Sequence, residues 1–144
     1  METISSVFSS EHAHCDELFS KTEAYVHAHD WGKAQASFDD YVQAMERHFS
    51  KEEDVLFPAF ERRTGALSGP TRVMRLEHQD MRQLLKEMQE DLQAKNAEHF
   101  LGLSETLLIM MQQHNYKEEN VLYRTADKVL AGDQADILAR TRSG

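Results

Sequence analysis

Two ten-residue runs place a histidine and a glutamate four positions apart. One is His48-Phe49-Ser50-Lys51-Glu52-Glu53-Asp54-Val55-Leu56-Phe57; the other is His114-Asn115-Tyr116-Lys117-Glu118-Glu119-Asn120-Val121-Leu122-Tyr123. Both fit H-x-x-K-E-E-x-V-L-aromatic, and the second begins 66 positions after the first. On a helix four residues make just over one turn, so the imidazole and the carboxylate leave the same face. A nitrogen and an oxygen donor at that spacing form a metal chelate. Two such helices facing each other bring four donors to one shared site.

The offset of 66 recurs upstream: Glu11-His12 matches Glu77-His78, and Leu18-Phe19 matches Leu84-Leu85. The first half of the chain therefore echoes the second, each with a His-bearing helix followed by an HxxxE helix. This predicts two antiparallel helix pairs about a pseudo-twofold axis, with His12, His48, His78, His114, Glu52 and Glu118 converging. A lone histidine on an apolar face is usually a satisfied core residue. Four imidazoles and two carboxylates buried together cost several kcal/mol per charged group unless something pairs them, and a metal does so. Nitrogen and carboxylate oxygen without thiolate suit Fe, Mn or Zn. Six donors exceed the needs of one tetrahedral zinc. They divide over two metals, two His apiece, with Glu52 and Glu118 bridging and positions left for hydroxide and a small exogenous ligand.

Four amphipathic helices must carry these side chains. The first spans about 5–29, with the stripe Phe8, His12, Cys15, Phe19 and Val26. His14, His27 and His29 fall off that stripe and read as surface residues. Asp30-Trp31-Gly32 is the expected break, with Asp30 as N-cap and Trp31 covering the turn. The second helix spans about 33–62, with Tyr41, Met45, His48, Glu52 and Val55 inward and Pro58 loosening its last turn. Residues 63–69 form the main loop. The third opens at Pro70 and carries Met74, His78, Met81, Leu85, Met88 and Leu92 until about 95–96. The fourth runs to about 129, with Leu107, Met111, His114, Glu118 and Val121 inward. Asp133 is placed to cap a short final helix, and the last residues should fray. Nothing in the chain has a strand period, so the expected fold is all-α, an up-down-up-down four-helix bundle in one domain over 1–144.

Composition excludes several alternatives. A net charge of −9 disfavours nucleic acid and anionic membrane surfaces. A single cysteine, Cys15, precludes an intramolecular disulfide or a cysteine-based cluster within one chain; it reads as a small core residue, with redox sensing near the metals as the alternative. The N-terminus has no basic flank and apolar run of a signal peptide, and the apolar run Leu107 to Met111 is far too short to cross a bilayer. The expectation is a cytoplasmic protein.

The sequence resembles the hemerythrin-like, HHE cation-binding family of four-helix bundles. His48 to Glu53 with Leu56-Phe57-Pro58 resembles that family's second-helix motif, and His114 with Glu118-Glu119 its fourth. Glu11-His12 with Leu18-Phe19 resembles the first, and Glu77-His78 the third. The resemblance implies two iron ions in a non-haem di-iron centre with oxo or hydroxo and carboxylate bridges. Oxygen carriers of the family have a further His four residues after the third-helix His; here that residue is Arg82. Four His with two Glu is more similar to the branch tied to iron–sulfur cluster repair and nitric-oxide stress. The expected function is a redox or sensor protein reacting with O2, NO or peroxide, its redox partner unspecified. The alternatives are a reversible O2- or iron-binding carrier without turnover, or cluster repair. The donor set does not separate enzyme from binder, because both need an open coordination position. Glu53 and Glu119 read as solvated or as orienting a ligand from outside.

Overall fold

The computed structural model describes residues 2–66 and 69–142. Helix α1, Ile4–His27, starts from a reciprocal cap: the Thr3 hydroxyl accepts from the Ser6 amide at 3.0 Å, and the Ser6 hydroxyl accepts from the Thr3 amide at 2.8 Å. Helix α2, Trp31–Lys51, passes through a π-turn, Glu52–Leu56, into α3, Phe57–Thr64. Helix α4 spans Pro70–Gln93, with proline at its first position as the sequence suggests. Helix α5, Ala97–Lys117, passes through a second π-turn, Glu118–Leu122, into α6, Tyr123–Val129; a 3-10 turn, Ala131–Asp133, leads to α7, Gln134–Arg142. Among the described residues there is no strand, and no helix is long and apolar enough to cross a membrane. The expected fraying concerns Ser143 and Gly144, which lie outside the described residues.

The bundle closes as a ring. Helix α1 packs on α2, α2 on α4, α4 on α5, and the α5–α6 unit back on α1. Its two tight turns are copies of each other. His29 and Lys95 both take left-handed backbone, with φ of 55° and 54°. At each turn the next two amides bond back to the ending helix: His29 to Val26 and Asp30 to Tyr25, Lys95 to Leu92 and Asn96 to Asp91. Asp30 and Asn96 then cap the following helices through the Lys33 and His99 amides. The first break thus falls at Ala28-His29, and Trp31-Gly32 already belongs to α2. Trp31 packs partly buried over that turn, 5.7 Å from the His29 ring.

The π-turns correct two residues of the expected stripes. Phe57 N–H reaches the Glu52 carbonyl and Tyr123 N–H the Glu118 carbonyl, each five residues back. The extra residue rotates the helix beyond it. Leu56 and Leu122 are buried, whereas Val121 is 54% exposed and Val55 only half-buried. Pro58 comes just after the first π-turn, but Arg124 stands in its place after the second. The distortion therefore does not come from proline.

Two apolar clusters result. One gathers Cys15, Phe19, Tyr41, Met45, Met81 and Met111; the other gathers Phe8, Leu56, Phe57, Leu122 and Tyr123 under Ile137 and Leu138 of α7. A polar layer lies between them. Each fully buried Phe or Leu contributes about 2 kcal/mol.

Candidate metal centre

The polar layer is the set picked out by the repeat. His12, His48, His78 and His114 are each at most 3% exposed, and Glu52 and Glu118 are fully buried. Their donor atoms fall into two groups. Glu52, His78, His114 and Glu118 form one; His12, His48 and Glu118 form the other; within each, the ligating atoms lie within 4.8 Å of one another. Glu118 belongs to both. Glu52 sits 3.1 Å from His78 Nε2 and 3.4 Å from His48 Nε2, so it too faces both pairs. His14, His27 and His29 are exposed and take no part.

Each imidazole is fixed from outside by a carboxylate on another helix. His48 Nδ1 meets Glu11 at 2.8 Å and His114 Nδ1 meets Glu77 at 2.8 Å. His78 Nδ1 meets Glu53 at 2.7 Å, and His12 Nδ1 meets Glu119 at 2.6 Å. A carboxylate only accepts, so each Nδ1 carries the proton and each Nε2 presents its lone pair to the centre. Glu53 and Glu119 thus hold buried histidines rather than standing free. Lys51 and Lys117 hold Glu11 and Glu77 in turn. The set of four carboxylates could not be read from the repeat alone, although each lies one residue before His12 or His78, or one after Glu52 or Glu118.

The halves differ at one such support. Arg82 binds Glu53 at 3.0 Å and Glu46 at 2.7 Å, and lies 5.1 Å over the Phe49 ring. Phe49 stacks on His78 with ring centroids 4.0 Å apart. The equivalent positions in the other half are Asp16 and Asn115, which line a groove of about 450 Å³ beside Glu119. Burial pushes the Asp16 carboxyl up, and nearby Glu119 adds to this while His12 opposes it. The Glu119 side chain is 40% exposed, that of Glu53 18%.

The electrostatics of the layer call for a cation. Burial and the charge of Glu118 push the Glu52 carboxyl well above the usual range. Burial acts the same way on Glu118, but its close neighbours Glu52, His114, His12 and His48 outweigh it and hold Glu118 well below. Two carboxyls this close cannot both ionise without a positive partner. Glu52 Oε1, Glu118 Oε2, His78 Nε2 and His114 Nε2 are buried with no hydrogen-bond partner among the described residues. His12 Nε2 and His48 Nε2 stand 3.1 Å apart, lone pair toward lone pair. Such atoms are costly unless a cation joins them. The residues therefore fit a metal, and nitrogen and oxygen donors alone suit a borderline or hard ion.

Two further residues settle smaller questions. Cys15 is buried in the first apolar cluster, and burial with the charges of Glu11 and Asp16 pushes its thiol up to about 12. That favours the core role over a reactive thiolate. Tyr123, which the sequence marked only as an aromatic ending the repeat, puts its hydroxyl among the donors: 2.7 Å from Glu52 and 2.9 Å from Glu118. The π-turn places it there, since residues five apart align across one π-turn.

Searches of the curated proteins and of the solved structures gave no significant match to the chain. The model of the hemerythrin HHE cation binding domain matches residues 3–126, a span holding all four helices of the ring and every donor described above. The chain therefore belongs to the hemerythrin HHE cation-binding family, as an all-helical bundle with a buried His/Glu metal-binding cluster.

Proposed function

We propose that this protein is a non-haem di-iron protein that reacts with or senses O2, NO or peroxide. The observation that carries this reading is the pair of donor groups joined through Glu118, one group on His78 and His114, the other on His12 and His48. Two cations sharing a buried carboxylate suit a paired centre. Four imidazoles with two carboxylates, and no thiolate among them, suit iron within the range of ions such donors accept. When bound, an iron pair supplies redox change and positions for a small exogenous ligand.

The chain's own residues do the rest. Glu11, Glu53, Glu77 and Glu119 fix the tautomer and tilt of the four histidines, so that little reorganisation accompanies metal binding. The two apolar clusters keep bulk water from the centre.

The test is anaerobic loading with Fe(II), elemental analysis, and optical spectra before and after adding NO and then O2. Two irons per chain and a spectral response to NO are expected. The double variant His48→Ala/His114→Ala should lose most of the iron, while His14→Ala should keep it. Full loading of the double variant overturns the assignment. Turnover of excess peroxide, against a spectral change reversed by removing O2, separates the reactive reading from the carrier.

A further inference from the structure

The two donor groups are unequal as they stand: one has four side chains, the other three. The missing fourth donor on the His12–His48 side is in place. Tyr123 Oη lies 3.1 Å from His12 Nε2, 3.4 Å from His48 Nε2 and 2.9 Å from Glu118 Oε1, the three atoms of that group, and 2.7 Å from Glu52 Oε2. Tyr123 is fully buried. A phenol has one proton, which satisfies one carboxylate oxygen. Both imidazoles spend their Nδ1 protons on Glu119 and Glu11. Their Nε2 lone pairs then face the lone pairs of the phenol oxygen at hydrogen-bond distance. A proton network cannot satisfy all four contacts, but a cation among them can.

The equivalent position in the other half is Phe57. Its ring stacks near His78, with centroids 5.8 Å apart, and offers no oxygen. The repeat therefore gives both halves an aromatic wall but only one of them a donor.

We propose that Tyr123 is a metal ligand: its phenol oxygen coordinates the cation held by His12, His48 and Glu118. The step is an acid–base exchange with no change of electrons. The oxygen–metal bond forms as the O–H bond breaks, and the proton leaves to solvent, as for other ligands that deprotonate on binding. Tyrosine is an established oxygen ligand of iron. The two metal positions are then chemically distinct, with a phenolate on the His12–His48 side. On the His78–His114 side Phe57 supplies no such oxygen.

The inference rests on the metal reading, and iron makes it visible. The experiment loads the full chain with Fe(II), oxidises it, and records iron content, visible absorption and resonance Raman scattering. Wild type should hold two irons per chain and show a phenolate-to-iron charge-transfer band with enhanced tyrosine ring modes. Tyr123→Phe should lose the band and ring modes, keep the first iron, and bind the second at least about tenfold more weakly. Thermal unfolding of the metal-free variant checks that it folds. If it does not, the wild-type spectrum still decides. Tyr25 and Tyr41 pack with the other apolar cluster and Tyr116 is exposed. Two irons without phenolate modes overturn Tyr123 ligation and leave the di-iron reading standing. No iron uptake overturns both.

Discussion

Arg82 grips Glu53 through two guanidinium nitrogens, each 3.0 Å from a carboxylate oxygen, and Glu53 passes that hold to His78 through a 2.7 Å bond. The charge and hydrogen bonds of Arg82 and His78 outweigh burial and keep the Glu53 carboxyl below its usual range. Arg82→Ala should free Glu53 and loosen His78. Metal affinity should fall about 10- to 100-fold for one ion, measured by competition with a chelator. Asp16→Ala, the same position in the other half, should leave affinity within about threefold. Equal losses from both would mean that the Arg82 clamp does not orient His78.

The π-turns predict an asymmetry between neighbours in sequence. Leu122 is 2% exposed and Val121 54%. Leu122→Ala should cost about 2–4 kcal/mol, and Val121→Ala no more than about 0.5 kcal/mol. Chemical denaturation of the two variants checks this. A larger loss from Val121→Ala would restore the unbroken α-helical register.

Lys95 sits in left-handed backbone with its side chain exposed. A non-glycine residue costs about 1 kcal/mol there. Lys95→Gly should therefore raise stability by about 0.5–1 kcal/mol without changing metal content. The denaturation midpoint is the readout, and a lower midpoint would show that the Lys95 side chain stabilises the turn.

Acid should unfold the metal-free protein through the outer carboxylates. Burial pushes Glu11 up, but its hydrogen bonds to His48 and Lys51 bring it down to about 2 from an ordinary 4.5. A folded value below the unfolded one gives stability that is full above about 4.5 and is lost as pH falls toward 2. Glu53 and Glu77 shift the same way. His78 acts higher: burial lowers it to about 4 from 6.5, so the unfolded chain takes up its proton first and stability falls between those values. His48 and His114, which burial lowers but neighbouring carboxylates raise overall, act against His78 in that window, so the melting temperature should drop chiefly as pH falls below about 4.5. Glu11→Gln should flatten that drop, and an unchanged slope there would count against the Glu11 contribution.

Much of this was legible in the residues because it is local or repeated. A 3.6-residue period marks which side of a helix is buried, so Phe8, His12, Cys15, Phe19 and Val26, or Met74 through Leu92, stand out along the chain without any knowledge of its neighbours. The offset of 66 added what one helix cannot show, that four histidines and two glutamates share a layer. Even the copied turns at His29 and Lys95 obey it, although the residue pattern puts the first of them two residues late.

What only the tertiary structure decided depends on contacts between helices. Glu119 reaching His12 and Glu53 reaching His78 are cross-helix pairings, set by how helices lean together and invisible to any spacing along one of them. The π-turns are a second case. Nothing local in Glu52–Leu56 or Glu118–Leu122 favours a wider turn; bringing Phe57 and Tyr123, five residues on, to the inward face of Glu52 and Glu118 requires one. That single extra residue turns Val121 out to solvent and carries the Tyr123 hydroxyl into the centre. A period of 3.6 had no means to announce it.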